Sequence, residues 1–196
     1  MSAELRTWAG LVLAAFALAG CGGSRPSFKN TDVTGADYGK DFALTDHTGK
    51  ARTLADFRGK AVVMFFGYTR CPDVCPTTLA ELKAVKDQLG EDGKRLQVLF
   101  VTVDPKRDNA QLLKNYVGAF DPRFLGLRGD AAATAAATKE FRVFAAEREG
   151  KTAESYTVEH SAQTFAFDPE GRLRLVIAYG AAPEDIAADL RLLLNS

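Results

Sequence analysis

The chain has 196 residues, enough for one domain with a sizeable core, and Lys+Arg and Asp+Glu both total 25. A net charge of zero argues against a nucleic-acid partner, which calls for a basic surface. A 46% hydrophobic and 26% charged composition is that of a folded globular protein, and two histidines and three cysteines leave few soft donors for any metal.

An apolar run from Trp8 to Gly20 follows Arg6, with Glu4 partly offsetting that charge. It matches the apolar segment of a signal peptide and is shorter than the roughly 20 residues a membrane span needs. It ends Leu18-Ala19-Gly20-Cys21, which resembles a bacterial lipobox. Residues 1–20 are therefore expected to be a lipoprotein signal peptide, and Cys21 the lipidated residue that fixes the protein to a membrane on the periplasmic side of a bacterial cell envelope. Two cysteines then remain, an even number suited to an oxidising compartment. Residues 21–38, rich in Gly, Ser, Thr and Asn, read as a flexible tether, and residues 39–196 as the folded domain.

Within that domain, residues 41–54 predict a small hairpin turned at Asp46-His47-Thr48-Gly49, with His47 a turn residue. Ala61 to Gly67 is a continuous apolar run, a strand buried on both faces. Leu79, Leu82, Val85 and Leu89 recur at helical spacing, with Pro76 suited to the first helical position. Leu96 to Val103 predicts a second buried strand, after which Asp108 is expected to cap a helix bearing Leu112, Leu113, Tyr116 and Val117. Residues 131–146 are Ala-rich, with Asp130 as cap. Gln163–Phe167 and Arg172–Tyr179 form a hairpin around Asp168-Pro169-Glu170-Gly171, and a last helix starts near Pro183. A buried strand–helix–strand unit followed by an antiparallel hairpin implies an α/β thioredoxin-like fold: a central mixed sheet flanked by helices, with an N-terminal hairpin.

The segment richest in chemistry is Phe66-Gly67-Tyr68-Thr69-Arg70-Cys71-Pro72-Asp73-Val74-Cys75-Pro76. It lies between a buried strand and a helix, at the sheet edge where open α/β folds bind ligands. Pro76 pushes Cys75 toward extended geometry, so both thiols are expected in the loop, acidified by the helix N-terminus. Three intervening residues leave room for a disulfide or for an ion between the sulfurs. A lone histidine is ordinarily a packing or surface residue, but His160 precedes the strand Gln163–Phe167 at about the place where thioredoxin-type oxidoreductases carry a cis-proline. None of the seven prolines can serve there. Two thiolates and an imidazole suit copper in either oxidation state, whereas zinc wants a fourth ligand. A peroxidase reading fails because the Thr or Ser expected near its cysteine is replaced by Tyr68 or Pro72.

These segments resemble the Sco/SenC family. The matching pieces are Phe66 to Thr69, Cys71 to Leu79, Val103-Asp104-Pro105 with Arg107-Asp108, His160-Ser161, and Asp168 to Leu173. The resemblance implies a thioredoxin-like fold and copper held by Cys71, Cys75 and His160. It further implies a metallochaperone role in assembling the CuA centre of cytochrome c oxidase, with the oxidase subunit carrying that centre and other copper chaperones or thiol–disulfide proteins as partners. Thiol–disulfide reduction of the oxidase cysteines, or copper and redox sensing, stays open beside copper delivery. Where many members have histidine before the first cysteine and aspartate before the ligand histidine, this chain has Arg70 and Glu159. Arg70 is expected to lower a thiol pKa, and Asp104 either orients the site at one remove from the metal or serves as a turn residue.

Overall fold

The computed structural model describes residues 27–150, 152 and 155–195. The expected signal peptide and Cys21 lie outside these residues. In chain order the strands and helices are β1 (Thr31–Asp32), β2 (Leu44–Asp46), β3 (Ala51–Arg52), β4 (Ala61–Gly67), α1 (Val74–Gln88), β5 (Leu96–Thr102), α2 (Ala110–Gly118), β6 (Leu125–Arg128), α3 (Ala131–Glu140), β7 (Ala145–Arg148), β8 (Thr157–His160), β9 (Thr164–Phe167), β10 (Leu173–Ile177) and α4 (Pro183–Leu194). No helix among the described residues is long and apolar enough to cross a membrane.

Eight strands form one sheet in the order β1-β10-β9-β4-β5-β6-β2-β3. β4, β5 and β6 run parallel, while β9, β10 and β2 join antiparallel, so the sheet is mixed as expected. β4 shows why its sequence is unbroken by polar residues. Ala61, Val63 and Phe65 enter the core under α1, α2 and α4, and Val62, Met64 and Phe66 enter the core on the opposite face with Phe141 and Ala137. Each buried Val, Met or Phe among them contributes roughly 1.5–3 kcal/mol by leaving water.

Several local expectations are corrected. α2 is capped by Asn109, whose side chain accepts from the Leu112 N–H, and not by Asp108, which is wholly buried. The Ala-rich helix stops at Glu140, capped at its start by Asp130 as expected; Arg142 then takes a positive φ and the chain enters β7. β6 and the β7–β8 ribbon carry too short an apolar signal to be read from sequence. His47 is more than a turn residue: its backbone N–H donates to Gly126 O and its Nδ1 accepts from Gly126 N, joining the hairpin to β6. The folded part also begins earlier than residue 39. The buried Asp189 of α4 accepts from the backbone N–H groups of Lys29 and Asn30 at 2.8 Å, and β1 pairs with β10.

Candidate metal centre

α1 begins at Val74, two residues before Pro76, so Cys75 lies in its first turn while Cys71 stays in the preceding loop. The expectation that both thiols share the loop is therefore wrong. The first-turn N–H groups of a helix have no acceptor within it, so proline at the third position costs no hydrogen bond. The first helical bond, Thr77 N to Asp73 O, forms immediately after it. The loop turns back through Cys71 N donating to Tyr68 O.

Gly67 at the end of β4 permits the close approach that seats Cys75. A Cβ there would stand 2.7 Å from Cys75 Sγ and 2.8 Å from the Phe100 ring. Cys75 is wholly buried, and Cys71 half-buried above it.

His160 arrives from the far side, at the end of β8, in a ribbon separate from the main sheet. Its Nε2 lies 3.4 Å from Cys75 Sγ. Its Nδ1 is 2.9 Å from Ser161 O, and because a carbonyl only accepts, Nδ1 carries the proton and Nε2 faces the sulfurs. The rings of Phe65 and Tyr68 stand edge-on to the imidazole, with centroids 6.0 and 5.9 Å away. One donor atom each from Cys71, Cys75 and His160 lie within 4.8 Å of one another. Glu159 points out of the site, pairing with Arg148 across the ribbon.

The thiols are not acidified alike. A hydrogen bond from Cys75 holds the Cys71 thiol down to about 4; burial opposes this, and contacts with His160 and the N–H groups of Cys75 and Asp73 add to it. Cys75 is pushed well up, because its proton is given to Cys71, because it is buried, and because the charges on Cys71 and Asp108 lie nearby. One proton is thus shared by two sulfurs. Arg70, expected to acidify the first thiol, is not among the largest causes of this shift.

Asp104 is buried, and its carboxylate accepts from the Tyr156 hydroxyl at 2.8 Å and from the Arg107 guanidinium. Arg107 in turn donates to Tyr156 O at 2.8 Å and covers the Tyr156 ring. These bonds reach the start of β8 rather than the sulfurs. The sequence placed Gly67 and Tyr68 in the cysteine motif, Phe65 in a strand and Asp108 at a helix cap, but gave none of them a part in shaping the metal site. Glycine after an apolar strand and just before the cysteines was the visible sign for the first; the others depend on contacts between distant segments.

The family model described as SCO1/SenC matches residues 30–195. The chain belongs to the SCO1/SenC family. It is 39% identical over 153 residues to the protein described as SCO2 homolog, mitochondrial, from Homo sapiens, a match covering 77% of this chain and 58% of that protein. It therefore spans less than two thirds of the length of such relatives. Among solved structures, that of Bradyrhizobium japonicum ScoI with copper bound is 40% identical at a TM-score of 0.73, covering 81% of this chain and 99% of that one. Yeast Sco1 with copper bound is 31% identical at a TM-score of 0.75, covering 82% and 90%. The thioredoxin-like fold is thus that of the Sco structures.

Proposed function

We propose that this chain binds one copper ion between Cys71, Cys75 and His160 and passes it to the oxidase subunit that carries the CuA centre of cytochrome c oxidase. The observation that carries this reading is the convergence of two sulfurs and one imidazole nitrogen within 4.8 Å. The relatives with copper bound support the choice of metal, and so does the donor set: soft sulfur holds Cu(I) and the nitrogen helps Cu(II).

Copper is cargo here. Cys71, half-exposed and acidic, meets the ion as thiolate; Cys75 gives up its proton on binding; and Nε2 of His160 completes the set without a change of tautomer. Thiolates of a recipient reach the ion from the open side of Cys71. The site works at a membrane, on the periplasmic side of a bacterial envelope, where lipid on Cys21 holds the domain after residues 1–20 are removed. The anchor reading rests on Leu18-Ala19-Gly20-Cys21. Metal analysis of the reduced protein tests the proposal: one copper per chain is expected, with a sulfur-to-Cu(II) charge-transfer band in the visible. Copper retained unchanged in the Cys71→Ser, Cys75→Ser double variant would overturn it.

A second reading is favoured by the unequal thiols. An acidic, half-exposed Cys71 beside a buried, protonated Cys75 is the arrangement of an attacking and a resolving cysteine. Cys71 thiolate would attack a target disulfide and release one target thiolate. Cys75, losing its proton, would then attack the Cys71 sulfur and release the second, leaving Cys71–Cys75 oxidised and the target reduced by two electrons. No cis peptide bond occurs among the described residues.

A further inference from the structure

Asp108 is 0% exposed and forms no ion pair among the described residues. Its carboxylate accepts from Thr69 N at 3.0 Å, Thr69 Oγ1 at 2.6 Å and Thr102 Oγ1 at 2.6 Å. The Thr69 N–H can only donate, so the Asp108 oxygen it meets is an acceptor, and the Thr102 hydroxyl, which accepts the Asp104 N–H, donates to that same oxygen. Asp108 is thus held as an acceptor. Thr69 lies two residues before Cys71, in the turn closed by Cys71 N and Tyr68 O, and Thr102 ends β5 beside Gly67. The carboxylate therefore ties the cysteine turn to the end of the neighbouring strand.

We infer that Asp108 is a positioning residue of the thiol site: it holds the cysteine turn through Thr69 and keeps a negative charge against that turn, which favours the less negative states of the two sulfurs. Reduction of the Cys71–Cys75 disulfide puts two electrons on the sulfurs, and each sulfur left without a proton is a negative charge that the disulfide did not carry. Copper held as Cu(I) leaves the site one charge more negative than the same donors around Cu(II). A buried anion opposes both changes, since charges interact strongly where water is excluded. Asp108 thereby sets the balance between disulfide and dithiol, and between the two copper states.

The copper half of this inference rests on the proposed function; the disulfide half does not. The test compares the parent protein with Asp108→Asn, which keeps the shape and one acceptor oxygen but removes the charge. In metal-free protein the equilibrium with reduced and oxidised glutathione is expected to move about 10-fold toward the dithiol. The ratio of Cu(I) to Cu(II) affinity, from competition with chelators for each ion, is expected to rise in the same direction. Thr69→Val keeps the charge, loosens the turn and strips a hydrogen bond from Asp108, so both copper affinities should fall, that for Cu(I) by the larger factor. Thr102→Val strips a hydrogen bond that partly neutralises Asp108, and should move the glutathione equilibrium the opposite way, which decides the charge effect even if Asp108→Asn does not fold. An unchanged glutathione equilibrium in folded Asp108→Asn, or in Thr102→Val, overturns the charge role; unchanged copper affinities in Thr69→Val overturn the hold on the turn. A shifted glutathione equilibrium in a protein that binds no copper would sink the copper proposal and leave the role of Asp108 standing.

Discussion

Nε2 of His160 stands 3.4 Å from Sγ of Cys75, although 85 positions separate them in the chain. Copper delivery and disulfide exchange differ in their need for this nitrogen. His160→Ala is expected to reduce a small-molecule disulfide within a few-fold of the parent, because attack and resolution use sulfur alone. Its Cu(II) affinity should fall by about 10-fold or more, the scale of losing even indirect support for a ligand. Cells carrying only this variant should then lack oxidase activity at limiting copper; full restoration would move the function to reduction.

The unequal thiols make a prediction about alkylation of the metal-free, reduced protein. Cys71, with its pKa held down to about 4, should react with iodoacetamide at a rate that rises through about pH 4 and is flat at neutral pH, while Cys75 stays protected. Cys75→Ala removes the largest cause of that depression, so the midpoint should move up. Mass spectrometry of labelled peptides over a pH series checks both outcomes, and equal labelling of the two cysteines would contradict them.

Gly67→Ala would press a methyl group between Cys75 Sγ and the Phe100 ring. Overpacking of this kind costs about 1–3 kcal/mol. A lower midpoint in thermal unfolding is expected, together with a displaced charge-transfer band in the Cu(II) form, because the sulfur itself must move. A stable variant with an unaltered band would show that β4 and α1 yield more easily than their packing implies.

The brace from Asp104 to β8 is tested at its far end. Tyr156→Phe removes the hydroxyl that donates to Asp104 and keeps the ring under Arg107. Stability should drop by about 1–2 kcal/mol through the lost bond to a buried carboxylate. Cu(II) binding should weaken, though by less than in His160→Ala, because His160 sits at the end of the strand that this bond helps to hold. Wild-type affinity in Tyr156→Phe would reduce Asp104 to a local turn residue.

Acid should weaken the fold partly through Asp46. Burial raises the pKa of this carboxyl, but hydrogen bonds from Thr48, Arg52 and the backbone of Lys50 and Thr48 outweigh it and bring it to about 2. A native pKa below that of the unfolded chain means stability that is present above about pH 4 and lost as pH falls toward 2, about 2 kcal/mol in all. Urea unfolding of the parent at pH 6 and pH 2.5 should show this loss, and Asp46→Asn should lack that share of it. An identical pH dependence in the variant would rule Asp46 out as the cause.

Much of the fold was legible because the signals are local. Ala61 to Gly67 is apolar at every position since both its faces are covered, and the Asp168–Gly171 turn and Pro183 mark a hairpin and a helix start by their own backbone preferences. Cys71 and Cys75 declared their chemistry through spacing, and His160 through scarcity and order along the chain. What the amino-acid sequence could not state is which thiol holds the proton: that follows from Cys75 being carried into the first turn of α1, beneath Cys71 and against Gly67, where its hydrogen bond to Cys71 lowers the Cys71 pKa and that same bond, with burial, raises its own. Nor could it separate Asp108 as a buried anchor from Asn109 as the helix cap, adjacent polar residues with the same local propensity. Sequence alone thus determined the candidate donors and the layered α/β core, which depend on residue type and period. Tertiary structure decided the protonation, orientation and bracing of those donors, because these depend on distances between segments that the chain brings together only when it folds.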